Sequence, residues 1–89
     1  MRKHYNITVK GRVQGVGFRY NARRQALTLG LDGFVNNKPD GSVYIEVEGN
    51  QADLDEFVAW CNAGPSGSRV IDVYVIISNL EGLTGFNYN

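Results

Sequence analysis

The chain has 89 residues, with nine basic and nine acidic side chains and a formal net charge of zero. That length fits one domain, expected to span residues 1–89, with a core burying about 60–65% of the unfolded surface. The zero balance lacks the excess of cations that a nucleic-acid binder usually carries.

No apolar run approaches the ~20 residues of a membrane span. No apolar region follows Met1-Arg2-Lys3-His4, so neither a signal peptide nor a membrane partner is expected. Cys61 is the single cysteine, which rules out an internal disulfide and makes the cytoplasm the default setting.

Residues 4–10 alternate, with Tyr5, Ile7 and Val9 on one side and Asn6, Thr8 and Lys10 on the other. That is the pattern of a half-buried strand. A loop with glycines at 11, 15 and 17 follows. Phe18, Ala22, Ala26 and Leu29 then form one face of a helix, which Gly30 is suited to end.

Leu31 to Asn36 reads as a second strand. Asn37-Lys38-Pro39-Asp40-Gly41 is a dense turn signal. Val43, Ile45 and Val47 alternate with Tyr44, Glu46 and Glu48 in a third strand, which Gly49 is expected to stop. Asn50 and Asp53 resemble a capping box, ahead of a helical stripe of Leu54, Phe57, Val58 and Cys61. Val70 to Ile77 has the composition of a strand. Residues 78–85 are irregular, and Phe86-Asn87-Tyr88 offers a short C-terminal edge strand.

The order β-α-β-β-α-β predicts an α+β, ferredoxin-like sandwich: an antiparallel sheet with two helices on one face.

The loop Gly11-Arg12-Val13-Gln14-Gly15-Val16-Gly17-Phe18-Arg19 carries the chemistry of interest. Its glycines let successive N–H groups curl inward as an anion nest. The helix N-terminus behind it adds unpaired N–H groups and a dipole of the same sign. Arg19 at that first turn opposes the dipole, and a bound phosphate would compensate it. Its planar fork suits two phosphate oxygens at once. The same glycines also suit a tight strand-to-helix connection, so spacing alone leaves both uses open. The layout of charge agrees with an anion site. Seven of the nine cations, including Arg12, Arg19, Arg23 and Arg24, precede the first acid, Asp32, and a positive field steers anions inward.

The stretch Lys10 to Arg19 resembles the signature of acylphosphatases. A second family motif, Gly-aromatic-Val-x-Asn followed by Gly-x-Val, is matched by Gly33-Phe34-Val35-Asn36-Asn37 and Gly41-Ser42-Val43. The resemblance runs from about Tyr5 to Tyr74. It implies hydrolysis of acyl phosphates to a carboxylate and inorganic phosphate. It implies that backbone amides of Gln14, Gly15, Val16, Gly17, Phe18 and Arg19 cradle the phosphate, that Arg19 grips the phosphoryl group, and that Asn37 orients the attacking water. Asn36 stands where the family more often has Lys, Arg or Gln, and a slip of one residue would select Asn36 instead.

An acyl phosphate already has a good leaving group, so the remaining tasks are charge stabilisation and placement of a water. No His, Cys, Asp or Glu lies in either motif, and no metal-ligand spacing occurs. Neither a metal nor another cofactor is expected; the expected partner is a small-molecule acyl phosphate, and the chain is expected to be a monomer. His4 reads as an exposed or satisfied strand residue, Cys61 as a buried structural thiol, and Trp60 and Tyr74 as packing residues. The alternative is a non-catalytic ferredoxin-like module that binds an anion or a protein; it would need neither Arg19 nor Asn37.

Overall fold

The computed structural model describes residues 1–88. Its elements run β1 (Arg2–Arg12), α1 (Phe18–Thr28), β2 (Asp32–Asn37), β3 (Val43–Asn50), α2 (Gln51–Ala63), β4 (Arg69–Ser78) and β5 (Phe86–Tyr88). The strands form one sheet in the order β4-β1-β3-β2-β5. The first four pair antiparallel. The fold is the expected ferredoxin-like α+β sandwich, with one change: β5 pairs parallel with β2, so the sheet is mixed.

Register explains the core. Tyr5, Ile7 and Val9 stand opposite Val47, Ile45 and Val43, and all six are buried. Both helices cover that face. α2 lays Leu54, Phe57 and Cys61 into it, and each fully buried large apolar side chain contributes about 1.5–3 kcal/mol. α1 adds Phe18, Ala22 and Ala26. Trp60 packs between Phe18, at 5.1 Å, and Phe57, at 6.0 Å.

α1 ends as its sequence suggests. Gly30 has φ +70°, its N–H donates to Leu27 O, and Leu31 N–H donates to Ala26 O at 2.8 Å. Those two bonds satisfy carbonyls that a helix end otherwise leaves open. α2 begins differently from expectation. Asn50 is its N-cap, but its side chain makes no capping bond. Asn50 also closes the β1–β3 ladder opposite Arg2, and the Met1 carbonyl accepts the Gln51 N–H at 3.1 Å.

Gly49 does not stop β3, which runs to Asn50. It sits against the Leu31 side chain, where a Cβ would collide.

β4 and β5 lie on opposite edges of the sheet. Crossing the four strand spacings between them takes about 19 Å, and seven extended residues span only about 23–25 Å. The segment 79–85 therefore crosses in a single pass as a strap, with Gly82 and Gly85 at φ +75° and +71°. Glu48, on β3, catches it midway: its carboxylate accepts the N–H groups of Glu81, Gly82 and Leu83. The strap delivers β5 to the end of the sheet where β2 starts, which is why the two run parallel.

No helix is long and apolar enough to cross a membrane among the described residues.

Candidate active site

The β1–α1 loop is shaped by alternating anchors and glycines. Val13 and Phe18 are buried, and Val16 packs partly against the same core. Gly15 and Gly17 lie between these anchors with φ of +73° and +77°, a region that side chains with a Cβ avoid. The loop is thereby pinned on its inner side while its outer side curls. Gly17 is the N-cap of α1. No side chain caps this helix end and no acid lies in its first turn. The positive end of the dipole meets the loop uncompensated by protein.

A cavity of about 130 Å³ opens there. Pockets for drug-sized ligands run to about 300–1,000 Å³, so this one suits a phosphoryl group with the rest of the molecule outside. Gly15, Gly17, Phe18, Arg19 and Asn37 line it, together with Val13, Tyr20 and Tyr88. Thus Arg19 and Asn37, 18 positions apart in the chain, meet at one cavity.

Asn36 does not line it. Asn36 and Asn37 are successive strand residues, so they point to opposite faces; Asn36 stands opposite Tyr44 on the open face, Asn37 opposite buried Val43. The Oδ1 of Asn37 is buried without a protein partner. Buried acceptors are almost always satisfied, so this atom suits a bound polar molecule.

Two of the expected cradle residues turn their side chains elsewhere. Val16 packs inward. Gln14 reaches to the β2–β3 turn, where its amide donates to Lys38 O at 2.7 Å and Ser42 O at 2.9 Å. That turn is itself locked by Lys38 N–H to Ser42 O and by Asp40, whose Oδ1 accepts from both the amide and the hydroxyl of Ser42. Those bonds hold the Asp40 carboxyl below its ordinary value. A broader depression of about 220 Å³ is lined by both Lys10 and Asp40, and the acid there offsets the cation, which leaves it poorly suited to an anion.

Tyr20 and Tyr88 were not foreseen at the site. Tyr88 arrives through the parallel pairing of β5 with β2, opposite Val35, and Arg23 lies 5.8 Å from its ring. The sole advance signal was the short β-prone stretch at residues 86–88.

A polar network occupies the open face of the sheet. His4, fully buried, holds Glu48 through Nδ1 at 2.7 Å, and its Nε2 faces Asn6 Oδ1 at 2.8 Å and Glu46 Oε1 at 3.0 Å. Burial pulls the imidazole pKa down, but Glu48, Asn6 and Glu46 outweigh it and the net shift is upward. Burial likewise pushes the Glu48 carboxyl up, and the strap amides with His4 outweigh it, leaving a net shift downward. Tyr44 donates to Glu46 at 2.8 Å; its burial and that carboxylate push its pKa up to about 12. His4, Glu46 and Glu81 bring possible ligand atoms within 4.8 Å of one another, a grouping that the linear spacing did not reveal. Both ring nitrogens already face carboxylate or amide oxygens, so the geometry is that of a hydrogen-bonded ion-pair network. Cys61 is fully buried, and burial raises its thiol pKa.

The fold and loop define a small ferredoxin-like domain with a small cavity at the start of its first helix. The acylphosphatase family profile matches residues 5–88, and the chain belongs to that family. It is 46% identical to an acylphosphatase of Nocardioides sp. over 97% of this chain and 87% of that protein. It is 49% identical to one of Trichormus variabilis, over 91% and 80% respectively. The crystal structure of acylphosphatase from Bacillus subtilis superposes with a TM-score of 0.95 at 42% identity, covering 100% of this chain and 99% of that one.

Proposed function

We propose that the chain hydrolyses acyl phosphates to a carboxylate and inorganic phosphate at the cavity of Gly15, Gly17, Arg19 and Asn37. The observation that carries this is the meeting of Arg19, the uncapped start of α1 and the unpartnered Asn37 Oδ1 in one small cavity. The amides of residues 14–19 and the Arg19 guanidinium bind the phosphoryl oxygens and offset the charge that grows on them. Asn37 Oδ1 accepts a hydrogen bond from a water and sets it in line with the phosphorus. The carboxylate leaves without protonation, so no general acid is required. The phosphoryl group of the bound substrate takes the proton of the water. Metal is not needed in this scheme, and the setting is the cytoplasm. A non-catalytic binding module would have no use for an asparagine acceptor held beside an arginine.

The test is release of phosphate from benzoyl phosphate in the presence of EDTA. Wild type should be undiminished by the chelator. Arg19→Ala should lose at least about 100-fold in turnover. Asn37→Ala should lose about 10²–10³ in kcat with little change in KM, and Asn36→Ala should be mild. Full activity in Arg19→Ala, or the reverse ranking of the two asparagines, would overturn the assignment.

A further inference from the structure

The cavity at the start of α1 has room for little more than a phosphoryl group, so the acyl half of a substrate must lie at its mouth. What meets it there follows from the lining. Val13 and Phe18 are buried, the two glycines carry no side chain, and Arg19 and Asn37 are polar. Among the described residues, two lining side chains remain that show apolar surface to water: Tyr20, 52% exposed, and Tyr88, 44% exposed. We infer that Tyr20 and Tyr88 form the subsite for the acyl group, and that they select an uncharged, flat acyl group, aromatic above all, over a small one such as acetyl. This rests on the hydrolytic reading of the cavity given above.

The two rings come from separate elements and are held separately. Tyr20 stands in the first turn of α1, directly after Arg19, and Tyr88 ends β5. Phe86 and Tyr88 share a face of that strand. Phe86 is buried, with its ring 6.4 Å from Phe57, so the strand is anchored two residues before Tyr88. Pairing opposite Val35, two residues ahead of Asn37, carries Tyr88 to the cavity. A guanidinium from α1 lies over each ring: Arg24 at 5.9 Å from Tyr20 and Arg23 at 5.8 Å from Tyr88, both within the range of cation–π attraction. Arg23 is itself fixed, its Nε donating to Phe86 O at 3.0 Å. The rings are thus in place before substrate arrives, which lowers the ordering cost of binding.

Discrimination between acyl groups has to arise at these rings. Arg19 and the loop amides meet only the phosphoryl group, so they treat every acyl phosphate alike. An aromatic acyl group can lie offset-stacked or edge-on against a tyrosine ring, and each such contact is worth roughly 2- to 10-fold in binding. A methyl group covers little of either ring. Binding energy gained away from the breaking bond can be spent on the transition state, so the preference belongs in kcat/KM.

The test compares kcat/KM for phosphate release from benzoyl, acetyl and succinyl phosphate, each divided by the spontaneous hydrolysis rate. Wild type should favour benzoyl phosphate over both others. Tyr20→Ala and Tyr88→Ala should each cut the benzoyl-to-acetyl ratio by about 5- to 10-fold. Tyr20→Phe and Tyr88→Phe should keep the wild-type ratio, because the ring and not the hydroxyl makes the contact. Equal losses on the two substrates in the Ala variants would overturn the subsite, and so would Phe variants that lose as much as the Ala ones. A wild-type preference for succinyl phosphate, whose carboxylate would seek Arg23 and Arg24, would overturn it too. Each of those results leaves hydrolysis at the cavity standing. No phosphate release from any of the three substrates would overturn the hydrolytic reading itself, and this inference with it.

Discussion

The carboxamide of Gln14 donates to the carbonyls of Lys38 and Ser42, on the turn that directly follows Asn37. It ties the loop proposed to hold the phosphoryl group to the hairpin proposed to hold the water. Displacement of a reacting group by about 1 Å can cost 10²-fold in rate. Gln14→Ala should therefore lower kcat on benzoyl phosphate by about 10-fold with little effect on KM, and Gln14→Glu should not restore it, since a carboxylate cannot donate to two carbonyls. An unchanged kcat would show that the turn holds its place without this tie. Residue by residue, part of the site could be read in advance. Arg19 and Asn37 could be singled out only through the family motifs, since glycine spacing alone left both uses of the loop open; the strand read at Leu31 to Asn36 placed Asn37 in the turn, and it is the β2 register that turns Asn36 and Asn37 to opposite faces. The Gln14 tie could not be read, because an amide side chain names no partner and its acceptors lie 24 and 28 residues away. Tyr88 was hidden for a related reason: only the pairing of two distant strands brings it to the cavity.

The β and α elements followed from periodicity, but the strap at 79–85 did not. It has no hydrophobic period; its course is set by the Glu48 carboxylate and by the length it must span. His4 likewise stands in an ordinary strand pattern, and only the β1–β3 register places it opposite Glu48. The pair gives this element a defined pH response. His4 has a raised pKa, so its contribution is fully present below its ordinary value of 6.5 and is lost as pH rises through the folded value. Glu48 has a lowered pKa, so its contribution is present above its ordinary value of 4.5 and is lost as pH falls through the folded value. Both act together between about pH 4.5 and 6.5. Thermal unfolding should show greatest stability from this network in that window, and Glu48→Gln should cost about 1–3 kcal/mol, because the strap amides and His4 lose a charged acceptor while Glu46 still faces the imidazole. A variant as stable as wild type at pH 6 would show that the network holds neither the strap nor the sheet end.

Across the whole molecule, one side of the sheet builds the core and the end between β1 and α1 builds the site. The layering could be read because apolar residues alternate in β1 and β3 and recur at helical spacing in α1 and α2. The strands at Val70 to Ile77 and Phe86 to Tyr88 were legible from local composition, but the parallel pairing of β5 and the place of β4 at a sheet edge are consequences of how distant segments meet. The central claim is that the anion cavity at residues 14–19 and Asn37 is where phosphate binds. Titration of the ¹⁵N-labelled chain with inorganic phosphate, followed by amide NMR, tests it most directly. The largest shifts should fall on the backbone amides of residues 14–19 and on the side-chain amide of Asn37. Shifts centred elsewhere, or none at saturating phosphate, would contradict it.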